Sequence, residues 1–176
     1  MLEKVKRQIS KYLVAKNFFK RTRQIINFNA FMSNSIDFLF LMPLDDADFR
    51  QCFDLIKYFI IHKKNVTIFL PEHKYNLIPQ KEKYKIVTYN IHEITRFSLP
   101  SASLIENLKR KSFDVVIDLN RSEDTLYAAI INIVEADYKV GFMKNNSDKY
   151  YNFQVRNYET NAEITYRKLL DSLLMF

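Results

Sequence analysis

The sequence predicts an α/β fold with a single Rossmann-like parallel sheet and helices on both of its faces. Segment 113–119, Phe-Asp-Val-Val-Ile-Asp-Leu, is short, apolar and β-branched, as is typical of a strand buried on both faces. A polar turn and a segment of helix length, 125–136, come next, and a second short apolar segment, 138–142, follows them. Strand, helix and strand in this order form a βαβ unit, which places the chain in the α/β class.

The same alternation extends to both sides of this unit. Segment 36–44 is almost entirely apolar and predicts the first strand, and segment 45–64 carries phenylalanines and isoleucines on one side, as a packed helix does. The other predicted elements are strands at 65–70, 84–89 and 150–155, helices at 101–111 and 161–175, and a loop or short helix at 71–80. With right-handed crossovers the first strand is central, the strand order is 3-2-1-4-5, and the sixth strand lies at an edge.

Positive charge is concentrated at the start of the chain. Residues 1–34 predict a basic amphipathic helical arm, and residues 35–176 predict one α/β domain. Residues 1–23 contain one acid and eight basic residues, so this segment alone carries the net charge of +7 that the whole chain has. The eight are Lys4, Lys6, Arg7, Lys11, Lys16, Lys20, Arg21 and Arg23.

Three roles for the arm remain open at this stage. The first is a solvated helix that packs one face on the body. The second is a helix that lies on an anionic membrane surface, and the third is a segment that binds an acidic protein or RNA. The balanced charge of the body argues against a nucleic-acid-binding fold. The segment shows neither a signal-peptide pattern nor an apolar run of membrane-spanning length, so a cytoplasmic location is expected. If the arm lies on lipid, the chain is expected to be peripheral to the inner membrane.

Composition excludes several classes of site. The chain has one glycine, Gly141, so neither a dinucleotide-binding glycine motif nor a P-loop can be written. Cys52 is the single cysteine and is expected to be a small buried helix residue in a protein of a reducing compartment. The three histidines and the cysteine have no zinc-site spacing, and neither a metal nor a cofactor is predicted.

The predicted site lies where the strand order reverses, between the first strand and strand 113–119. On one side Asp45, Asp46 and Asp48 stand at a helix start. Three interpretations of these aspartates remain open. They cap the helix, with Arg50 paired to Asp46; or one of them acts as a general base; or they bind a divalent cation through their oxygens. On the other side Asn120, Arg121 and Ser122 either bind a polar ligand or form an ordinary turn in which Ser122 caps the next helix.

The body resembles the N-terminal half of the ADP-heptose:lipopolysaccharide heptosyltransferases, which are family-9 glycosyltransferases of GT-B fold. The resemblance covers roughly residues 36–174 and rests on the first strand, on segment 113–119, on the Tyr-Lys-Val-Gly-Phe strand at 138–142 and on the helix after Asn161. It implies a bacterial sugar-transfer function in lipopolysaccharide biosynthesis, with Asp48 as the catalytic base. Ala47 stands where that family has a glycine.

Two main hypotheses follow. In the first, the chain is a glycosyltransferase-like half domain that is degenerate or depends on a second protein chain, because the sequence stops where the second GT-B half would begin. In the second, it is a non-catalytic binding or scaffold module, tethered to a membrane surface or an acidic partner by its basic helix. A small stand-alone enzyme that uses the acidic crevice is a third. The layout also resembles short single-domain proteins of Bacteroidota-type bacteria, which implies no chemistry.

Overall fold

Six parallel strands form one sheet in the computed structural model, which describes Ile9, Tyr12, Phe28, Asn29 and residues 31–145 and 147–176. The sheet has the order β3-β2-β1-β4-β5-β6, and every neighbouring pair is parallel. The strands are β1 (Asp37–Leu41), β2 (Asn65–Pro71), β3 (Lys85–Tyr89), β4 (Val115–Asp118), β5 (Tyr138–Phe142) and β6 (Phe153–Val155). The predicted α/β class and the predicted order around a central first strand are confirmed, with the sixth strand at an edge.

Helices cover both faces of the sheet, since alternate side chains of each strand point to opposite faces. Phe38 and Phe40 join the core under two helices, and Leu39 and Leu41 join the core under two others. The described helices are α1 (Phe31–Asn34), α2 (Asp46–Ile61), α3 (Ala102–Lys109), α4 (Thr125–Ile133) and α5 (Ala162–Leu173), with short 3-10 turns at Glu72–Leu77, Lys81–Lys83, Ile91–Glu93 and Ser147–Lys149. Helices α2 and α5 pack on the first face, and α3 and α4 pack on the second.

Side chains cap the N-termini of α3 and α4, and the cap of α4 differs from the predicted one. Ser101 caps α3 by accepting a hydrogen bond from the Leu104 amide. The prediction that Ser122 caps α4 is wrong: Asp124 accepts the hydrogen bond from the Tyr127 amide, and Ser122 is exposed in the preceding bend. The helix begins at Thr125, so Ser122 is too far from its free amides.

The C-terminus of α2 has the Schellman pattern with a lysine in the position that usually holds glycine. The Lys64 amide donates to the Phe59 carbonyl at 2.9 Å, and the Lys63 amide donates to the Ile60 carbonyl at 2.9 Å. Lys63 has φ 59°, in the left-handed region that favours glycine. The turn therefore carries backbone strain at Lys63. The side chain of the next residue also contacts the body: Lys64 Nζ donates to the carbonyl of Ser35 at 2.7 Å.

The predicted arm, residues 1–34, lies largely outside the described residues, and its eight basic residues all lie outside them. At its end, the Phe31 side chain is buried in the core, and the Phe28 ring contacts Tyr138 and Phe153 with centroids 5.4 Å away in each case. Ile9 and Tyr12 are 40% and 64% exposed. Among the described residues, no helix is both long enough and apolar enough to span a bilayer.

Candidate functional site

The side chain of Asn120 fills the crevice between the carboxyl ends of β1 and β4. Its Oδ1 accepts a hydrogen bond from the Leu44 amide at 2.9 Å, and its Nδ2 donates to the Met42 carbonyl at 3.3 Å and to Asp118 Oδ1 at 2.7 Å. Asn120 is buried, so these hydrogen bonds satisfy an amide that would otherwise be costly to bury. The residue that was predicted to bind a polar ligand here joins the two strand ends.

Asp48 and Arg121 lie in direct contact across the same crevice. Arg121 Nε donates to Asp48 Oδ2 at 2.7 Å, and Nη2 lies 2.6 Å from Oδ1, which accepts no well-aligned hydrogen bond. Arg121 Nη1 also donates to the backbone carbonyls of Glu159 and Thr160, at 3.3 and 3.0 Å, just before α5. The hydrogen bond to Asp48 raises the pKa of the Arg121 guanidinium.

This pairing limits what Asp48 can do as a base. The Asp48 side chain is 5% exposed, and both of its carboxylate oxygens face the guanidinium. A general base must reach the proton that it removes within hydrogen-bond distance. Asp48 could do so only if Arg121 moved away, which would also release the contacts to Glu159 and Thr160.

The other two aspartates of the helix start have separate partners. Asp45 caps α2 and accepts hydrogen bonds from the amides of Ala47 and Asp48, at 2.9 and 3.0 Å. Asp46 pairs with Lys74 at 2.7 Å, and the hydrogen bond from Lys74 lowers the pKa of its carboxyl. Arg50, which was expected to pair with Asp46, donates through Nε to the Asp46 backbone carbonyl at 3.2 Å.

The three aspartates therefore diverge, and they do not form a cation site. Lys74 comes from the 3-10 turn after β2 and is buried; its Nζ also donates to the Leu44 carbonyl at 2.6 Å and lies 4.9 Å from the Phe49 ring centroid. Within the described residues, no group of three His, Cys, Asp or Glu side chains could hold a metal ion. Cys52 is buried in α2 as predicted, and burial raises the pKa of its thiol.

A second buried ionic cluster, absent from the sequence prediction, lies at the carboxyl end of β4. Asp118 Oδ2 accepts hydrogen bonds from Lys144 Nζ at 2.8 Å and from the Tyr151 hydroxyl at 2.5 Å. Lys144 Nζ donates to the Tyr151 hydroxyl at 3.2 Å. Burial raises the pKa of Tyr151 well above its ordinary value, and burial also raises the pKa of the nearby Asp124 carboxyl.

The single glycine of the chain makes this cluster possible. Gly141 lies in β5, and a Cβ added there would lie 2.6 Å from Cζ of the Tyr151 ring. The ring therefore lies directly on the strand backbone, and this position lets its hydroxyl reach Asp118. One indication of this role is visible in the sequence: Gly141 is the single glycine of the chain, and no phosphate-binding motif accounts for it.

A surface groove of about 340 Å³ lies beside the crevice, between the first turns of α2 and α5. Its lining residues are Ala47, Arg50, Gln51, Asn161, Ala162 and Glu163. The lining holds one guanidinium and one carboxylate, so it presents no concentrated charge of either sign.

Comparison with known proteins gives a family and no function. A family model described as a family of unknown function, DUF6913, matches residues 6–174. Neither the search of curated proteins nor the search of solved structures gave a match. The family match covers nearly the whole chain, including residues 6–34 of the arm. The chain therefore belongs to the DUF6913 family.

Proposed function

We propose that this chain is a non-catalytic binding module, which its basic N-terminal segment attaches to an anionic membrane surface. The observation that carries the proposal is the exposure of Ile9 and Tyr12, at 40% and 64%. They are three residues apart, so in a helix they share one face, and lysines and an arginine surround them in the sequence. Apolar side chains among basic ones are typical of a helix at a membrane interface.

The crevice supports the non-catalytic part of the proposal. Its charged and amide candidates contact other residues of the chain: Asp48 contacts Arg121, Asp46 contacts Lys74, and Asn120 contacts both strand ends. A site built for catalysis keeps polar groups directed at a substrate. Here the same residue types hold β1, β4, α2 and the segment before α5 together.

This function places the chain in the cytoplasm, at the inner face of the inner membrane. Anionic headgroups there attract juxtamembrane basic segments, by about 1 kcal/mol for each Lys or Arg near the surface. At that rate the net charge of +7 in residues 1–23 would contribute about 7 kcal/mol.

Flotation of the full-length chain with vesicles of phosphatidylcholine and phosphatidylglycerol tests the proposal. The test variant replaces Lys4, Lys6 and Arg7 by glutamine. The matched control replaces three exposed arginines of the body, Arg50, Arg96 and Arg156, in the same way. We expect the arm variant to lose about a hundredfold in vesicle affinity, since three charges contribute about 3 kcal/mol.

Two results would overturn the proposal. One is equal flotation of the arm variant and the control, which would mean that charge in the arm does not determine binding. The other is retention on immobilised polyglutamate or RNA without flotation of the wild type, which would assign the arm to an acidic protein or nucleic acid partner.

The second candidate function is sugar transfer with Asp48 as the base, in a degenerate chain or together with a second protein chain. It is favoured by the place of Asp48 in the first turn of the helix after β1, where the resemblance to heptosyltransferases puts the base. Calorimetric titration with ADP- and UDP-sugars, with and without Mg²⁺, tests it. Saturable binding that requires Asp48 would favour sugar transfer over the binding module.

A further inference from the structure

The parallel sheet brings a basic turn and an exposed apolar segment to the edge from which the arm enters the body. We call the amino edge the side where all six strands begin. We propose that the amino edge is the face that docks on an anionic lipid bilayer, so that the body has one fixed orientation on the membrane. This inference rests on the proposed function and adds the face of the body that takes part.

The basic part of this face is the turn between α3 and β4. Lys109, Arg110 and Lys111 are consecutive and exposed, and they come four to six residues before Val115, where β4 begins. Arg110 has one acidic neighbour, Glu106, with a 4.0 Å separation between two exposed side chains. Such an exposed pair contributes little, so the three cations remain available to anionic headgroups.

The apolar part is the segment after α5. Met175 is 77% exposed, and Phe176 is 43% exposed. The Phe176 ring contacts Phe28 and Phe153, with centroids at 5.8 and 5.5 Å. Because Phe153 is the first residue of β6, these contacts fix the segment at the amino edge.

The arm joins this face whatever path its basic residues take. Arg23 precedes Phe28 by five residues, so its Cα lies at most about 18 Å from that of Phe28. The Phe28 ring contacts Phe176 directly. The last charges of the arm and the exposed apolar segment are therefore close enough to meet one membrane surface together, and such a combination of two weak signals is what stable peripheral binding needs.

Charge complementarity selects the occupant and the orientation. At the opposite, carboxyl edge the carboxylates of Asp45 and Glu123 would be repelled by anionic lipid, whereas those of Asp46 and Glu159 are paired with Lys74 and Lys168. Carboxylates are also present at the amino edge, at Glu82, Glu135 and Asp137. The contribution of the basic turn is therefore expected to be smaller than that of the arm.

Quantitative binding of the full-length chain to phosphatidylglycerol-containing vesicles tests the orientation. Lys109, Arg110 and Lys111 are replaced together by glutamine, and the control is again Arg50, Arg96 and Arg156 to glutamine, three exposed charges that follow the carboxyl ends of their strands. We expect the turn variant to lose about tenfold in affinity and the control to match the wild type. Met175→Gln tests the apolar part of the face. Its control is Ile91→Gln, because Ile91 is 79% exposed and follows the carboxyl end of β3.

The outcomes separate this inference from the proposed function. If the arm variant loses binding while the turn variant and Met175→Gln bind like their controls, the arm binds membranes and the orientation is wrong. If the wild type does not bind anionic vesicles, both are wrong. The predicted result is an affinity about tenfold lower in the turn variant together with weaker binding of Met175→Gln, each with its control unchanged.

Discussion

Replacing Gly141 by alanine is expected to destabilise the domain by about 2–4 kcal/mol, the sum expected for one overpacked contact and one weakened buried hydrogen bond to a charged group. The new Cβ would lie 2.6 Å from Tyr151 Cζ, and ordinary contacts begin at 3.4 Å, so the ring must move by about 0.8 Å. The Cβ would also lie 2.7 Å from Cε1 and from Cε2, so it lies over the ring face and displaces the ring along its normal. The hydrogen bond from the Tyr151 hydroxyl to Asp118 Oδ2, 2.5 Å long, then loses its alignment. Burial leaves the ring little room to avoid this.

Urea unfolding followed by far-ultraviolet circular dichroism measures the effect. Tyr151→Phe removes the hydroxyl and keeps the ring, so it isolates the hydrogen-bond part of the loss. In a Tyr151→Ala background the Gly141→Ala substitution should have almost no effect, because the atoms that clash are gone. A Gly141→Ala protein as stable as the wild type, or an equal loss in both backgrounds, would refute the proposed role of the glycine.

Substitutions at three further residues test the account of the carboxylates and the strained turn by urea unfolding. Asp48→Asn should lower the free energy of unfolding by about 2–3 kcal/mol, less than for a fully buried pair because Arg121 is partly exposed; unchanged stability would leave Asp48 without a structural role. Asp124→Asn keeps the cap on the Tyr127 amide, whereas Asp124→Ala should lose about 1 kcal/mol. Burial raises the pKa of Asp124 in the folded state, so the contribution of Asp124 to stability should fall as pH rises from the ordinary aspartate pKa through the raised one. Asp124→Asn should make the free energy of unfolding depend less steeply on pH in this range. An unchanged pH dependence would exclude Asp124 as its cause. Lys63→Gly should stabilise the protein by about 0.5–1 kcal/mol by relieving the positive φ, and a gain of equal size in Lys63→Ala would point to another cause.

The fold was largely predictable because its elements are short and strongly patterned. Five of the six described strands contain an apolar run that is visible in the sequence, and β6 is the exception with Phe-Gln-Val. The parallel order follows from the handedness of crossovers. The ends of the elements differ from the prediction where backbone hydrogen bonding determines them. The first strand ends at Leu41 and not at residue 44, since Pro43 has no amide to donate.

The site was predictable in position but not in its contacts. The sheet order placed Asp48, Asn120 and Arg121 at one crevice, as expected, but nothing in their spacing indicated that Arg121 would pair with Asp48. Lys144 was missed because it follows β5 and approaches Asp118 only through the pairing of β4 with β5. Side-chain pairing of this kind depends on tertiary packing, which local sequence patterns do not encode.

Co-sedimentation of the wild-type chain with vesicles of increasing phosphatidylglycerol content, at low and at high salt, tests the central claim most directly. A cationic arm on an anionic surface predicts binding that rises with the fraction of anionic lipid, is absent from pure phosphatidylcholine and weakens as salt screens the charges. Binding that is independent of lipid charge and salt, or no binding at low salt to vesicles rich in phosphatidylglycerol, would contradict the account.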